Sequence, residues 1–203
     1  SSFVDELAHA TNMSTQDMWH QLLGEDRYIN PANEGFKYTN YGETLDAFPI
    51  DTKRLKHVLD DVITKSGANN KTSEGEAWGI STHRSFVSYV AVATKVRVKD
   101  NKVSVLEMHS SIDAGTVVNT DRVMSQQEGS MIFGLSIALM GEISVKEGAV
   151  EQSNYNDYPV LRMSQSPMIK TYIVQSDEVP GGVGEPGTPP AAPALTNALF
   201  AAT

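Results

Sequence analysis

The chain has 203 residues, 40% of them hydrophobic and 20% charged, which suits one domain or two small ones with a buried core. Its net charge of −9 argues against docking on a nucleic-acid backbone, which needs clustered Lys and Arg. With no cysteine it can form no disulfide, thiolate zinc site, cysteine nucleophile or cysteine-ligated iron–sulfur cluster. Phe3, Val4, Leu7 and Ala8 share one face of a helix predicted over Phe3–Ala10. Ser14 or Thr15 caps a second helix to about Leu23, with Gly24 as its stop. Asn30–Pro49 carries proline, glycine, asparagine and several aromatics and reads as irregular. Asp51 or Thr52 then caps a helix over Lys53–Ser66. Leu55, Val58, Leu59, Val62 and Ile63 form its apolar stripe, and Gly67 ends it.

The period then changes. Trp78–His83, Ser88–Val98 and Lys102–Asp113 read as strands, with Asp100-Asn101 as a hairpin turn. The basic residues of Lys95–Lys102 alternate with valines and are read as one strand face. Asn119 or Thr120 caps a long helix to about Gly141, with Gly129 and Gly134 on its apolar face. Each interior glycine costs roughly 1 kcal/mol relative to alanine, so the pair implies close approach of a ligand or another backbone, or plain tight packing. The apolar run Met131–Met140 is too short to span a bilayer. Glu142–Val145 and Ala149–Gln152 form a hairpin through Lys146-Glu147-Gly148, and Ile169–Gln175 is a last strand. A glycine- and proline-rich stretch, Gly181–Pro190, leads into a helix over Ala191–Thr203. Helices and strands in mixed order make the fold class α+β. The chain enters a helical pattern almost at once and stops without a cap or tail, so it reads as a piece of a longer polypeptide. Residues 1–67 read as a mainly helical entry region and residues 77–203 as an α/β part.

Two places stand out chemically. Glu185 is the one charge in Gly181–Pro190, on a stiff loop at a helix entrance. It is either a base presented to a buried substrate or an exposed Glu on a tight connection. The second place is Asp113-Ala114-Gly115, then Asn119 and Ser125-Gln126-Gln127-Glu128-Gly129. The Gln126 amide can donate and accept at once, which suits a polar heterocycle; the plainer alternative is a surface Gln. The five histidines show no HxH or HExxH spacing, so no metal site with protein ligands is signalled. His57 reads as a solvated helix residue and His83 as a hydrogen-bonded strand-end residue. No GxSxG, P-loop or GxGxxG occurs. Phe86 and Tyr89 are candidate aromatic walls for a substrate.

Taken in order, several blocks resemble one family. They are Val4–Ala10, Gly79-Ile80-Ser81, Ser85–Ala91, Asp113–Asn119, Glu128-Gly129 with Phe133-Gly134-Leu135, Tyr158–Met163 and Gly184–Leu195. The chain resembles the molybdopterin-binding subunit of the xanthine oxidase family of molybdenum hydroxylases, in the branch of isoquinoline 1-oxidoreductase β-subunits and aldehyde dehydrogenases. The resemblance covers nearly the whole chain, but only the C-terminal portion of the family's subunit. It implies the mixed helix and sheet fold of a molybdenum-cofactor-binding domain. It implies that Glu185 is the base on a molybdenum-bound hydroxyl, so that an aldehyde or N-heterocycle carbon is hydroxylated with water-derived oxygen. Gln126 matches the glutamine of a G-Q-x-E-G motif lying against the pterin, with Ser125 in place of the first glycine. Gly129 and Gly184 fall among the cofactor-binding positions. Val87 replaces a glycine usual in an S-F-G-S block.

Further implications concern cofactors and partners. The cofactor is molybdenum–molybdopterin, the cytosine dinucleotide form included. The partners are the remainder of the large subunit, an iron–sulfur small subunit, a flavin or cytochrome electron acceptor, and a small-molecule substrate. The isolated 203 residues are expected neither to hold the cofactor firmly nor to turn over substrate. The compartment is left open between bacterial cytoplasm and periplasm. Two other readings stand beside this one: a non-catalytic binding or assembly module of the same fold, and a cofactor-free hydrolase. The hydrolase would need a nucleophile–base pair beside Glu185.

Overall fold

A computed structural model describes all 203 residues. Two short helices open the chain, α1 (Ser2–Ala10) and α2 (Thr15–Leu23). The Ser14 hydroxyl accepts the Asp17 N–H and caps α2. A two-residue bridge pairs β1 (Tyr28–Ile29) with β2 (Ile50–Asp51). Between them the predicted irregular segment contains two short 3-10 turns. Helix α3 (Thr52–Ser66) follows. The Asp51 carboxylate accepts the Lys53 N–H at its start, and Gly67 closes it in the left-handed conformation.

The sheet has four strands in the order β3-β4-β5-β8. Strands β3 (Glu76–Ser85), β4 (Ser88–Lys99) and β5 (Lys102–Asp113) are antiparallel, and β8 (Met168–Ile173) joins β5 in parallel. The 21-residue helix α4 (Thr120–Met140) lies between β5 and β8 in the chain. A small hairpin of β6 (Val145–Lys146) and β7 (Ala149–Val150) follows it. Helix α5 (Thr188–Ala202) ends the fold. It begins earlier than Ala191, where the sequence places it. Pro189 and Pro190 read as loop, yet they sit in the first turn, where a missing N–H costs no intrahelical bond.

Strand β4 is the centre of the molecule. Tyr89, Ala91 and Ala93 face Val58, Leu59, Val62 and Ile63 of α3. Val90, Val92 and Val96 face the other way, into a core shared with Met131 and Leu135 of α4 and Ala191, Ala194, Leu195 and Ala198 of α5. Residues 88–94 are therefore buried continuously rather than alternately. The result is a sheet covered by α3 on one face and by α4 and α5 on the other.

Helix α5 is alanine-rich because it lies almost on the backbone of β3. A Cβ on Gly79 would overlap Ala198 N and Ala194 O. Gly79→Ala is therefore expected to destabilise the chain by about 1–3 kcal/mol, the usual cost of overpacking, as read by urea unfolding. Unchanged stability would show that α5 is free to shift away from the sheet.

Candidate active site

Three segments meet at one edge of the fold: the turn between β3 and β4, the first half of α4, and the loop Gly181–Gly187 that feeds α5. Between them lies a cleft of about 380 Å³. Gln126, Gly129, Gly184 and Glu185, far apart in sequence, all line it. Phe86 and Phe133 are its apolar members.

The loop is held from both sides. On the sheet side, Phe86 O accepts the Gly182 N–H at 2.8 Å, and the Ser88 hydroxyl donates to Gly182 O at 2.7 Å. Ala114 O accepts the Gly181 N–H at 2.8 Å. Gly181 and Gly182 must be small here: a Cβ on Gly182 would stand 2.7 Å from Phe86 Cβ, and one on Gly181 would overlap Ser88 Oγ. On the α4 side, Ser130 Oγ lies 2.6 Å from Gln126 O and 3.0 Å from Gly184 O, with one proton to share between them. Fully buried Gln127 reaches under the loop, its Nε2 3.4 Å from Val183 O. Its Oε1 has no partner in the chain and points towards Gly187.

Glu185 itself is exposed, with its backbone O accepting the Thr188 N–H at the entrance of α5. Neither its carboxylate nor the Gln126 amide is hydrogen-bonded within the chain. Both chemical groups are thus presented to the cleft rather than consumed by the fold. The two α4 glycines divide the alternatives that the sequence leaves open. Gly134 is a packing glycine: a Cβ there would stand 2.7 Å from Ala191 Cβ and 2.9 Å from Thr188 O. Gly129 has nothing within 4 Å of where its Cβ would stand, and the same holds for Gly184.

Other sequence candidates fall elsewhere. Asp113 does not line the cleft. It forms a two-pronged ion pair with Arg54, Nε to Oδ2 at 2.7 Å and the terminal N to Oδ1 at 2.6 Å, and also accepts the Gly115 N–H. Burial alone would raise the Asp113 carboxyl. The Arg54 guanidinium and the Gly115 N–H outweigh that and hold it below its ordinary value. Tyr89 is not a wall of the cleft either. It is wholly buried on the α3 side, where its hydroxyl accepts the Asp51 N–H and donates to Pro49 O. His57 and His83 are exposed, and no histidine lines the cleft. Ser130 and Thr188 do line it, but each hydroxyl is placed to donate to backbone carbonyls, and neither is paired with Glu185. That leaves a hydrolase without an activated nucleophile.

Sequence reasoning missed Gln127 and Ser130. Both sit on the buried side of α4, and their partners lie across the fold in the loop.

A model of the molybdopterin cofactor-binding domain matches residues 50–167. The β-subunit of isoquinoline 1-oxidoreductase from Brevundimonas diminuta is 37% identical over 169 residues, covering 76% of this chain and 22% of that protein. A nicotinate dehydrogenase subunit from Pseudomonas putida is 32% identical over 209 residues, covering 100% of this chain and 16% of that one. A membrane-bound aldehyde dehydrogenase (pyrroloquinoline-quinone) from Gluconacetobacter polyoxogenes is 29% identical, covering 98% of this chain and 25% of that protein. The chain thus spans between about a sixth and a quarter of these curated relatives. Among solved structures, a Cu,Mo-CO dehydrogenase superposes with a TM-score of 0.52 at 20% identity, over 57% of this chain and 16% of that one. Quinoline 2-oxidoreductase from Pseudomonas putida 86 does so with a TM-score of 0.52 at 22% identity, over 57% of this chain and 16% of that one. These structural likenesses are likenesses of fold.

Proposed function

The chain belongs to the molybdopterin cofactor-binding domain family of the xanthine oxidase type, and from that membership we propose that it is the part of a molybdenum hydroxylase subunit that carries the catalytic base. The observation that supports this most is the convergence of Glu185, Gln126, Gly129 and Gly184 on one cleft. The cleft suits a bulky organic cofactor. Gly129 and Gly184 leave space that no atom of the chain fills, and the helix bears the cost of an interior glycine without a packing reason. An uncommitted amide stands beside that space, able to donate from Nε2 and accept at Oε1.

When bound, molybdenum–molybdopterin supplies the oxidising capacity that converts an aldehyde or N-heterocycle C–H into C–OH with oxygen from water. The residues of the chain do the rest. Gln126 would hold the pterin edge by hydrogen bonds, and Gly129 and Gly184 would let it approach. A Glu185 carboxylate oxygen takes up the proton released as the water-derived oxygen attacks the substrate carbon. Gln127, Ser130 and Ser88 keep the loop from drifting. The cofactor is taken from the family rather than from the quinone in the name of the Gluconacetobacter relative. An iron–sulfur subunit, with a flavin or cytochrome beyond it, would serve as the electron-accepting partner, and the remainder of the large subunit would complete the cofactor site. The isolated 203 residues, with Glu185 and Gln126 both exposed, bind the cofactor weakly and do not turn over substrate.

Gly129→Leu separates this reading from that of an assembly module. In the 203-residue chain the substitution is expected to raise stability by up to about 1 kcal/mol, since it replaces a helix-interior glycine in open space. In the full-length subunit it is expected to lower molybdenum content, measured by mass spectrometry, to a small fraction of one atom per chain. Full molybdenum content in the folded variant would remove Gly129 from the cofactor site.

A further inference from the structure

Helix α4 is apolar on two sides, and only one of them is covered. Met131 and Leu135 are wholly buried in the core shared with α5. On the other side Phe133 and Ile137 stand 61% and 45% exposed. A helix that is apolar all round is a buried helix, so the outer side calls for a partner. The chain that follows α4 supplies half of a seat for one. The Leu161 N–H donates to the Ser136 hydroxyl at 2.9 Å and holds the returning segment beside the helix. Ile132, Phe133 and Ile137 on the helix and Tyr155, Tyr158 and Leu161 on that segment line a groove of about 670 Å³.

The surroundings of the groove are equally without a partner. The Asp157 carboxylate accepts the Ser153 and Asn154 N–H groups and closes a tight turn, from which Tyr155 projects 69% exposed. Val145 and Val150 face each other across the β6–β7 ribbon, and both are exposed. A two-stranded ribbon is marginal in water by itself, and this one pairs with no third strand. Ile143 at its base shares a second hollow with Tyr155 and Tyr158. A contiguous apolar surface of this kind marks an interaction site.

Two observations say what covers it. The curated relatives align with 76–100% of this chain, yet the chain spans only 16–25% of them, so most of the polypeptide those relatives possess lies outside these 203 residues. The groove is also continuous with the cleft, because Gly129 and Phe133 line both. A segment that completes the cleft therefore has the groove as the next surface within reach. We propose that the α4 groove is the docking surface for the rest of the same subunit, which lays an apolar segment between Phe133 and Tyr155 and continues to the rim of the cleft. The proposal rests on the hydroxylase reading only in taking the chain as part of a longer subunit, and it does not depend on the role of Glu185.

The test uses the full-length enzyme with its partner subunits. Tyr155→p-benzoylphenylalanine places a photoreactive ring in the groove, and the cross-links formed on irradiation are mapped by mass spectrometry. They are expected to join this position to a peptide of the same polypeptide outside the 203 residues, with no change in subunit mass. Cross-links to a second copy of the subunit or to a different subunit, or none at all, overturn the proposal. Tyr155→Cys gives an independent readout, since the chain has no cysteine of its own. Maleimide labelling there is expected to be at least about tenfold slower in the full-length enzyme than in the 203-residue chain, and equal rates overturn the proposal. Ile137→Lys puts a charge on the exposed face of α4. It is expected to leave the urea midpoint of the 203-residue chain nearly unchanged and to restore fast labelling of the Tyr155→Cys site in the full-length enzyme. If the cross-links lie within the subunit but the enzyme holds no molybdenum, the interface stands and the hydroxylase reading falls.

Discussion

Glu185→Gln in the full-length enzyme is expected to lower kcat by about 10²–10⁴-fold, the range for losing a positioned general base, with little change in KM or molybdenum content. The structure explains why the effect should be confined to catalysis. The carboxylate makes no hydrogen bond or ion pair within the chain, so its loss strands no buried partner. The loop is held by backbone groups and by Ser88, Gln127 and Ser130, none of which touches the side chain. Gln keeps the size and the hydrogen-bonding reach of Glu but cannot take up a proton at neutral pH. Glu185→Asp is expected to fall between them, because it retains the acid but draws it back by one methylene on a fixed loop. Small misplacements of a reacting group are costly. Steady-state kinetics together with metal analysis separates the outcomes. Unaltered kcat would place the base elsewhere, and a parallel loss of molybdenum would make Glu185 a cofactor-holding residue instead.

What the sequence made legible follows from how local each signal is. The Asp51 cap, the apolar stripe of α3 and its Gly67 stop are coded within one helix, and the structure has them as read. The Asp100-Asn101 turn is equally local. The start of α5 was misplaced because Pro189-Pro190 has two local meanings, and only the packing of α5 on β3 and α4 selects between them. Gly129 and Gly134 look the same on a helical wheel. One is filled by Ala191 and the other faces the cleft, a difference that exists only once α5 is in place. Glu185 and Gln126 could be singled out by chemistry and by family resemblance. Gln127 could not: it sits at the open position of the G-Q-x-E-G motif, and its partner Val183 is brought under it by the fold. The pairing of Tyr41 with Phe86 is likewise tertiary, and Tyr41 comes from the segment with the least regular pattern.

Asp113 shows how a residue outside the cleft can govern it. Asp113→Ala is expected to destabilise the 203-residue chain by about 3–5 kcal/mol, because it leaves the Arg54 guanidinium buried and unpaired. The two side chains are 5% and 12% exposed, so solvent offers little replacement. The damage also travels. Asp113 holds the Gly115 N–H, Gly115 has φ of 70° and stands against the backbone of Glu178 and Val179, and Ala114 O anchors Gly181. The loop carrying Glu185 is thus tied at its root to the Arg54 pair. Replacing both partners, Arg54→Met with Asp113→Leu, is expected to recover much of the loss, as apolar substitutes for buried ion pairs often do. The pH dependence has a definite sign. The folded-state pKa of Asp113 is depressed, so its contribution is fully present above the unfolded value of about 3.9 and is lost as pH falls through the lower folded value. Asp113→Asn should therefore lower stability at pH 7 and flatten its decline below about pH 4. Urea unfolding at pH 7, 4 and 3 measures both. A decline as steep in the Asn variant as in the unmutated chain would mean that other carboxylates control the acid limb.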